Sequence, residues 1–488
     1  MESPRKSFSF LPFTFKRLND SKIMLVNCVG EYAVIPIEEF ETFLCDPSAI
    51  THSSYHLLKS KNFFVDNDLD LAVDMLATKM RTRKAFLRDF TGLHMVVLSG
   101  HCNCRCDYCQ ASSSDPPKER SSQNMNPEIA DAVLDMIFKS PSPVIKIEFQ
   151  GGEPLLNWNV LTRIVHNGKK LNKKAKKRLG FVVCTNMALL DEDKINFLKT
   201  EGADISTSLD GPKDLHDLHR KMRDGSSSYD KFIENLSLAR SLMGTGAVSP
   251  LLTITKDHLK RIPEVIDEYI ELGFKGIFLR ALNPYGFAQE NVGQLGYSVE
   301  EFLEAYKQGF CYILKKNLNG EYFSENFATL LLSRILTPFA TGFMDLQSPA
   351  GAGICGAIYD YDGNVYPTDE GRMLARMGDK QFLLGNVMEN SFEEIFGGNK
   401  LRSITSKSCV ETLPGCSSCV YQTYCGSDPV RNYVETKDWV GFRPNSEFCK
   451  KNKAILDFLF GFLFENDDKV IDVFWSWITH RSLEEIWP

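Results

Sequence analysis

Between residues 144 and 281 the chain alternates between short β-branched runs and amphipathic runs. The strand candidates are VIKIEFQ (144–150), GFVVCTN (180–186), ADISTSLD (203–210), SPLLTIT (249–255) and KGIFLRA (275–281). The helical candidates are 127–139, 157–171, 191–200, 228–242 and 260–271. Parallel strands need a crossover between them, and a helix supplies it, so this alternation predicts βαβ units and a parallel sheet. Counting the buried run Met95–Leu98 gives about six strands, which predicts an α/β fold built on a partial (β/α)6 barrel. In such barrels the chemistry collects at the C-terminal strand ends.

Polar groups stand at those ends. Gln150-Gly151-Gly152-Glu153-Pro154 follows the first of the quoted strands, Thr185-Asn186 the second, Ser206, Ser208 and Asp210 the third, and Arg280 the last. Each of these also has a plainer reading, as a strand-end group that satisfies local backbone.

The chain has 14 cysteines. Its formal charge of -7 argues against a dedicated nucleic-acid binder. No run approaches the roughly 20 apolar residues of a membrane span, and the N-terminus has no apolar core of a secretory signal. The expectation is a cytoplasmic protein with reduced thiols, where clustered cysteines point to metal or redox chemistry. Cys28, Cys45, Cys184 and Cys311 stand alone, and most of them read as small buried hydrophobes.

The others form two groups. Cys102-x3-Cys106-x2-Cys109 puts three thiolates on one short loop, enough for three corners of a [4Fe-4S] cube with the fourth iron left open. Zinc is the alternative, but it favours paired CxxC knuckles. Cys104 would point away from a cube held by the other three. Cys416-x2-Cys419-x5-Cys425, with Cys449 further on, supplies four thiolates, which close either a second cube or a zinc tetrahedron.

The x3-x2 loop, with Tyr108 before its last cysteine, the strand LHMVVLSG leading in and a strand-end GGEP, resembles the radical S-adenosylmethionine superfamily. The resemblance implies a catalytic [4Fe-4S] cluster on Cys102, Cys106 and Cys109, whose open iron binds S-adenosylmethionine. One electron then yields a 5'-deoxyadenosyl radical that abstracts hydrogen from the substrate. It also implies cofactor contacts at Tyr108, Gln150, Gly151, Gly152, Glu153, Thr185, Asn186, Ser206, Ser208, Asp210 and Arg280. The succession CGAIYDYDGNVYP, LLGNVMENSFEEIF and the last cysteines resembles the SPASM extension of radical maturases, in which Cys416, Cys419, Cys425 and Cys449 hold an auxiliary [4Fe-4S] cluster. The chain departs from that pattern where a proximal cluster needs cysteine, at Thr368 and Pro429. Cys355 is a possible additional ligand, with Cys409, Asp369 and Asp428 as conceivable stand-ins, but the expectation is one auxiliary cluster and no proximal one.

Whole phrases, among them IKIEFQGGEPLLNW, ISTSLDGPKDLH, FLRALNPYGFA and YDGNVYPTDEGRMLARMGD, resemble the His-Xaa-Ser system radical maturases. That resemblance implies an oxidoreductase-type peptide maturase acting on a small ribosomal precursor with His-Xaa-Ser repeats, forming a crosslink or another oxidative modification. It implies an electron donor such as flavodoxin or ferredoxin and a second radical enzyme of the same system; the charge and the lack of a long apolar run lead to the expectation of no nucleic-acid or membrane partner. One alternative is a sulfatase-maturase-like enzyme acting on a protein. Another is a zinc-stabilised peptide-binding module without catalysis.

The expected domains are 1–85, a small α+β unit resembling a peptide-recognition element that captures a leader peptide by strand addition; 86–325, the barrel; 326–350, a linker; 351–455, the cysteine-rich domain; and 456–488, a helical tail. In the tail, Trp475, Trp477 and Trp487 suggest a docking helix or a partner surface.

Overall fold

The computed structural model describes residues 8–66, 68–114, 123–283 and 285–486. The chain forms two compact units. One comprises Met1–Arg88, Leu330–Ala350 and Lys407–Ile471; the other comprises Asp89–Thr329, Gly351–Ser406 and Asp472–Pro488. The stretch 351–455 therefore contributes to both.

The larger unit is built on an eight-stranded sheet. Its parallel part runs, in spatial order, Val248–Leu251, Ala203–Ser208, Arg178–Cys184, Val144–Gly151, Leu93–Ser99 and Gly356–Tyr359. Asn364–Tyr366 and Gly385–Asn386 add antiparallel strands at one edge. Side chains alternate across the sheet. Ile145, Ile147, Phe149 and Val183 are fully buried on one face, where the Phe149 and Phe181 rings stack with centroids 6.2 Å apart. Truncating one of these aromatics to alanine costs about 3–5 kcal/mol. Glu148, Gln150, Cys184, Ser206 and Ser208 are only half-buried and line the other face.

The crossover helices are Pro127–Phe138, Trp158–Ala175, Glu192–Glu201, Ser228–Met243 and Ile262–Glu271. Their starts are set by side chains that take an orphan backbone N–H: Asn126 accepts from Ile129, Asp191 from Lys194 and Ser227 from Asp230. Gly202 ends one of them in the left-handed region at φ 70°, which costs glycine nothing.

The 275–281 run departs from the expected strand. Only Gly276–Ile277 is ladder-bonded, and its partner is Ser324–Glu325, outside the main sheet. The Glu325 carboxylate takes the Leu279 N–H (3.1 Å), so a side chain replaces the ladder there. The sheet gains instead Gly356–Tyr359, which pairs in parallel with Leu93–Val96.

In the smaller unit Phe13–Arg17, Lys22–Asn27 and Tyr32–Pro36 form an antiparallel sheet packed on the helices Ile37–Cys45 and His52–Ser60. Phe43, Leu58 and Phe63 fill its core. The cysteine-rich segment is tied to the rest of this unit. Tyr424 Oη donates to Gly30 O (2.8 Å), and Arg334 donates to Tyr424 O (3.1 Å) and Thr423 O (2.9 Å).

The tail forms the helix Asp468–Thr479. Trp477 is fully buried, packs edge-on against Phe310 (5.5 Å) and donates Nε1–H to Asn317 Oδ1 (3.2 Å), so it is core rather than a partner surface. Trp475 is exposed, and Trp487 lies outside the described residues. Among the described residues no helix is long and apolar enough to cross a membrane.

Candidate active site

The strand Leu93–Ser99 delivers the chain into the cysteine loop. Cys102, Cys104, Cys106 and Tyr108 are buried in one apolar cluster with Ala288 and Leu295, and Cys109 packs against it. Cys104–Cys106 pairs antiparallel with Arg220–Met222. Cys104 faces Met222 in that register, and its Sγ lies 3.3 Å from the Met222 sulfur. Its own N–H points to Cys102 Sγ (3.3 Å). Burial pushes the Cys106 thiol up to about 12. The Cys102 thiol is raised by its hydrogen bond with Cys104 and then by burial. Among the described residues no three His, Cys, Asp or Glu side chains converge closely enough for a single metal ion.

The glycines of GGEP answer to geometry. Gly152 N–H donates to Ser99 O (2.8 Å), and Glu153 N–H donates to His101 O (2.8 Å). A Cβ on Gly151, whose φ is 148°, would lie 2.4 Å from Ser99 O, and one on Gly152 would lie 2.2 Å from His101 O. Only glycine lets the strand end approach the cysteine loop this closely.

Glu153 is fully buried. Its Oε1 accepts Leu155 N–H (3.0 Å) and Thr185 Oγ1–H (2.8 Å), and its Oε2 accepts Asn186 N–H (2.9 Å). Burial nevertheless raises its pKa to about 6. A carboxylate has about four acceptor positions, so roughly one remains for a further donor. Beside it Asn186 Nδ2 donates to Asn103 Oδ1 (2.7 Å) and reaches Cys102 Sγ (3.8 Å). Asn103 Nδ2 is buried with no hydrogen-bond partner among the described residues. An acceptor position and an orphan donor beside a three-thiol loop fit a small zwitterion such as the methionine end of S-adenosylmethionine.

Not every expected contact converges here. Tyr108 donates to the Asp210 carboxylate, whose Oδ1 also takes Thr253 N–H (3.1 Å). Asp210 is thus engaged by the protein. Gln150 is held by Glu148. Ser206 and Ser208 line the half-exposed face. The Arg280 carbonyl accepts Ile254 N–H (3.2 Å).

Sequence reasoning missed the brace across the loop. Arg223 N–H donates to Asn103 O (3.0 Å), its Nε to Cys102 O (2.9 Å) and one terminal nitrogen to Ser113 O (3.3 Å). Arg220 donates to Tyr108 Oη (2.8 Å). The stretch HRKMRD carries no motif, and only its position after a strand-end carboxylate could have singled it out.

The second cysteine set lies in the smaller unit. Cys416 Sγ receives Arg443 Nε–H (3.5 Å), and Cys425 Sγ receives Asn452 Nδ2–H (3.7 Å). Cys449 sits in the first turn of the helix Glu447–Glu465, its N–H taken by Ser446 Oγ (3.2 Å). Arg443 is buried, yet Cys416, Cys425 and Cys449 hold its guanidinium charged against that burial. A buried cation among thiols suits an anionic tetrathiolate centre.

Cys355 lies in the larger unit, where its carbonyl accepts Gly92 N–H (3.2 Å) and Leu93 N–H (3.0 Å); Cys409 lies in the smaller one. Thr368 caps the helix Asp369–Arg376, and Asp369 pairs with Arg372 (2.7 Å). Asp428 caps the helix that Pro429 begins.

Residues 96–268 match the Radical SAM superfamily. The Cysteine-type anaerobic sulfatase-maturating enzyme of Clostridium perfringens (strain 13 / Type A) is 26% identical over 368 residues, 74% of this chain and 94% of that one. In fold the chain is similar to anSMEcpe with bound AdoMet, at a TM-score of 0.66 and 21% identity, covering 80% of this chain and 98% of that one. It is also similar to Streptococcus suis SuiB bound to precursor peptide SuiA, at a TM-score of 0.51 and 15% identity, covering 91% and 100%. The chain therefore carries a region similar to the Radical SAM superfamily, has the α/β fold of the SPASM-type structures it resembles, and is similar over most of its length to an anaerobic sulfatase-maturating enzyme.

Proposed function

We propose that this chain is a peptide maturase that uses S-adenosylmethionine and a [4Fe-4S] cluster to modify a small ribosomal precursor, as the resemblance to the His-Xaa-Ser system maturases implies. Cys102, Cys106 and Cys109 would hold the cluster, and Glu153, with Thr185 and Asn186 behind it, would hold the methionine ammonium. When bound, these cofactors supply one-electron chemistry at an unactivated C–H bond. The chain's own residues do the rest. Glu153 would accept a hydrogen bond from the methionine ammonium, Gly151 and Gly152 allow the strand end to close on the loop, and the apolar cluster around Tyr108 would exclude water. The carrying observation is the acceptor position left on buried Glu153 beside the three-thiol loop.

The N-terminal sheet supports a peptide substrate. Cys28 N–H donates to Pro12 O and Leu18 N–H to Lys22 O. With the Thr14–Val26 register, alternation turns the backbone groups of Thr14 and Lys16 inward and leaves those of Phe13, Phe15 and Arg17 on an edge that is free among the described residues. The opposite edge is closed by Pro36 and by Lys61, which donates to Tyr32 O (2.6 Å). Phe15 (55% exposed), on that strand, and Phe10, packed against Phe13, offer apolar surface, which suits an added strand with alternate apolar residues.

A second reading, an enzyme acting on a protein like the sulfatase maturases, is favoured by the 26% identity over most of that relative. Anaerobic incubation with a synthetic precursor peptide carrying His-Xaa-Ser repeats and, separately, with the Cp18Cys peptide that is bound in a structure of anSMEcpe, followed by mass spectrometry, decides between them. A mass change on the first alone supports the peptide-maturase reading; a change on the second alone supports the other.

A further inference from the structure

We propose that Arg220 is a positioning residue that clamps the cysteine loop and raises the reduction potential of the cluster it holds. The inference goes beyond the substrate reading and rests only on Cys102, Cys106 and Cys109 as ligands.

Three observations carry it. Arg220 stands directly opposite Cys106 in the two-stranded ladder that fixes the loop. Its guanidinium donates to Tyr108 Oη (2.8 Å), with its carbon 6.0 Å from the ring centroid. Tyr108 in turn donates to buried Asp210. The cation is thus held between the third-cysteine end of the loop and the end of the strand Ala203–Ser208. A guanidinium keeps its charge at any ordinary pH.

A fixed positive charge beside a thiolate-ligated cluster stabilises the reduced state, which carries one more electron, and so raises the potential. The neighbouring Lys221 also faces the loop, but it is exposed and pairs with Asp107 at 3.0 Å, so solvent screens it.

The test is a redox titration followed by electron paramagnetic resonance, on anaerobically reconstituted protein with iron counted for every variant. The signal that changes on adding S-adenosylmethionine identifies the loop cluster. In Arg220→Met that signal should titrate at a more negative potential. Arg220→Lys should recover most of the shift, and Lys221→Met should leave the parent value. An unchanged potential in an iron-replete Arg220→Met overturns the proposal. So does an equal shift in Lys221→Met, which would make the effect one of net charge. If Arg220→Met fails to retain iron, Arg220→Lys decides: a near-parent potential supports the charge role, and loss of iron there as well overturns it. Loss of the signal in Cys106→Ala checks the ligand assignment separately.

Discussion

Tyr108 and Asp210, 102 residues apart, are joined by a hydrogen bond from the phenol to the carboxylate. It ties the cysteine loop to the end of the strand Ala203–Ser208. Both residues read from sequence as cofactor contacts, yet here they satisfy each other. Asp210→Asn should therefore loosen the loop by roughly 1.5–3 kcal/mol, the value of a charge-assisted bond, while leaving S-adenosylmethionine affinity within about threefold, roughly 0.7 kcal/mol. Thermal denaturation and a binding titration on the same variant check both parts.

Cys104 should be dispensable for the cluster. Its sulfur faces Met222 across the ladder. Cys104→Ala should keep its iron and reductive cleavage of S-adenosylmethionine, whereas alanine at Cys102, Cys106 or Cys109 should abolish cleavage. Iron assay with detection of 5'-deoxyadenosine makes the comparison.

Glu153 should leave a pH signature in the cofactor-free protein. Its folded pKa of about 6 lies above the ordinary 4.5. Between those values the folded state binds more protons than the unfolded one, so stability falls as pH rises through the window. The loss is about 2 kcal/mol. Glu153→Gln cannot titrate and should lack that increment. Denaturant melts at about pH 4.5 and about pH 6.5, compared between parent and variant, measure it.

The free edge of the N-terminal sheet should be where a peptide binds. Phe15→Pro removes an outward N–H without touching the paired one. Peptide affinity should fall by about tenfold, or about 1.4 kcal/mol. Val34→Pro, on the opposite strand, is the control. Fluorescence anisotropy with a labelled precursor peptide gives the answer, and equal losses in both variants would argue against edge binding.

Trp477→Ala should destabilise the larger unit by about 3–5 kcal/mol. It removes a fully buried ring and strips Asn317 Oδ1 of its indole donor. Calorimetry is the measurement.

Much of this was legible in the sequence because the signals are local. The strands 144–151, 178–184 and 203–208 announce themselves by β-branched runs between amphipathic helices, and the cysteine loop and GGEP by spacing. What was not legible depends on distant partners. Leu279 leaves the ladder because Glu325, far along the chain, takes its N–H. Gly356–Tyr359 joins the sheet beside Leu93 through a pairing that no local pattern encodes. Trp477 looks like a surface residue in WSWIT until Phe310 and Asn317 meet it. Arg220 and Arg223 sit in an unremarkable basic stretch, and their role exists only once the ladder with Cys104–Cys106 has formed.

The central claim is that Cys102, Cys106 and Cys109 hold one cluster and Cys416, Cys419, Cys425 and Cys449 another. Iron and sulfide analysis of anaerobically reconstituted protein tests it most directly, on the parent and on a Cys102→Ala/Cys106→Ala/Cys109→Ala variant. The prediction is about eight irons per chain, falling to about four in the triple variant. About four irons with one zinc in the parent would make the tail a zinc site, about twelve would require a third cluster, and an unchanged count in the triple variant would contradict the assignment of the loop itself.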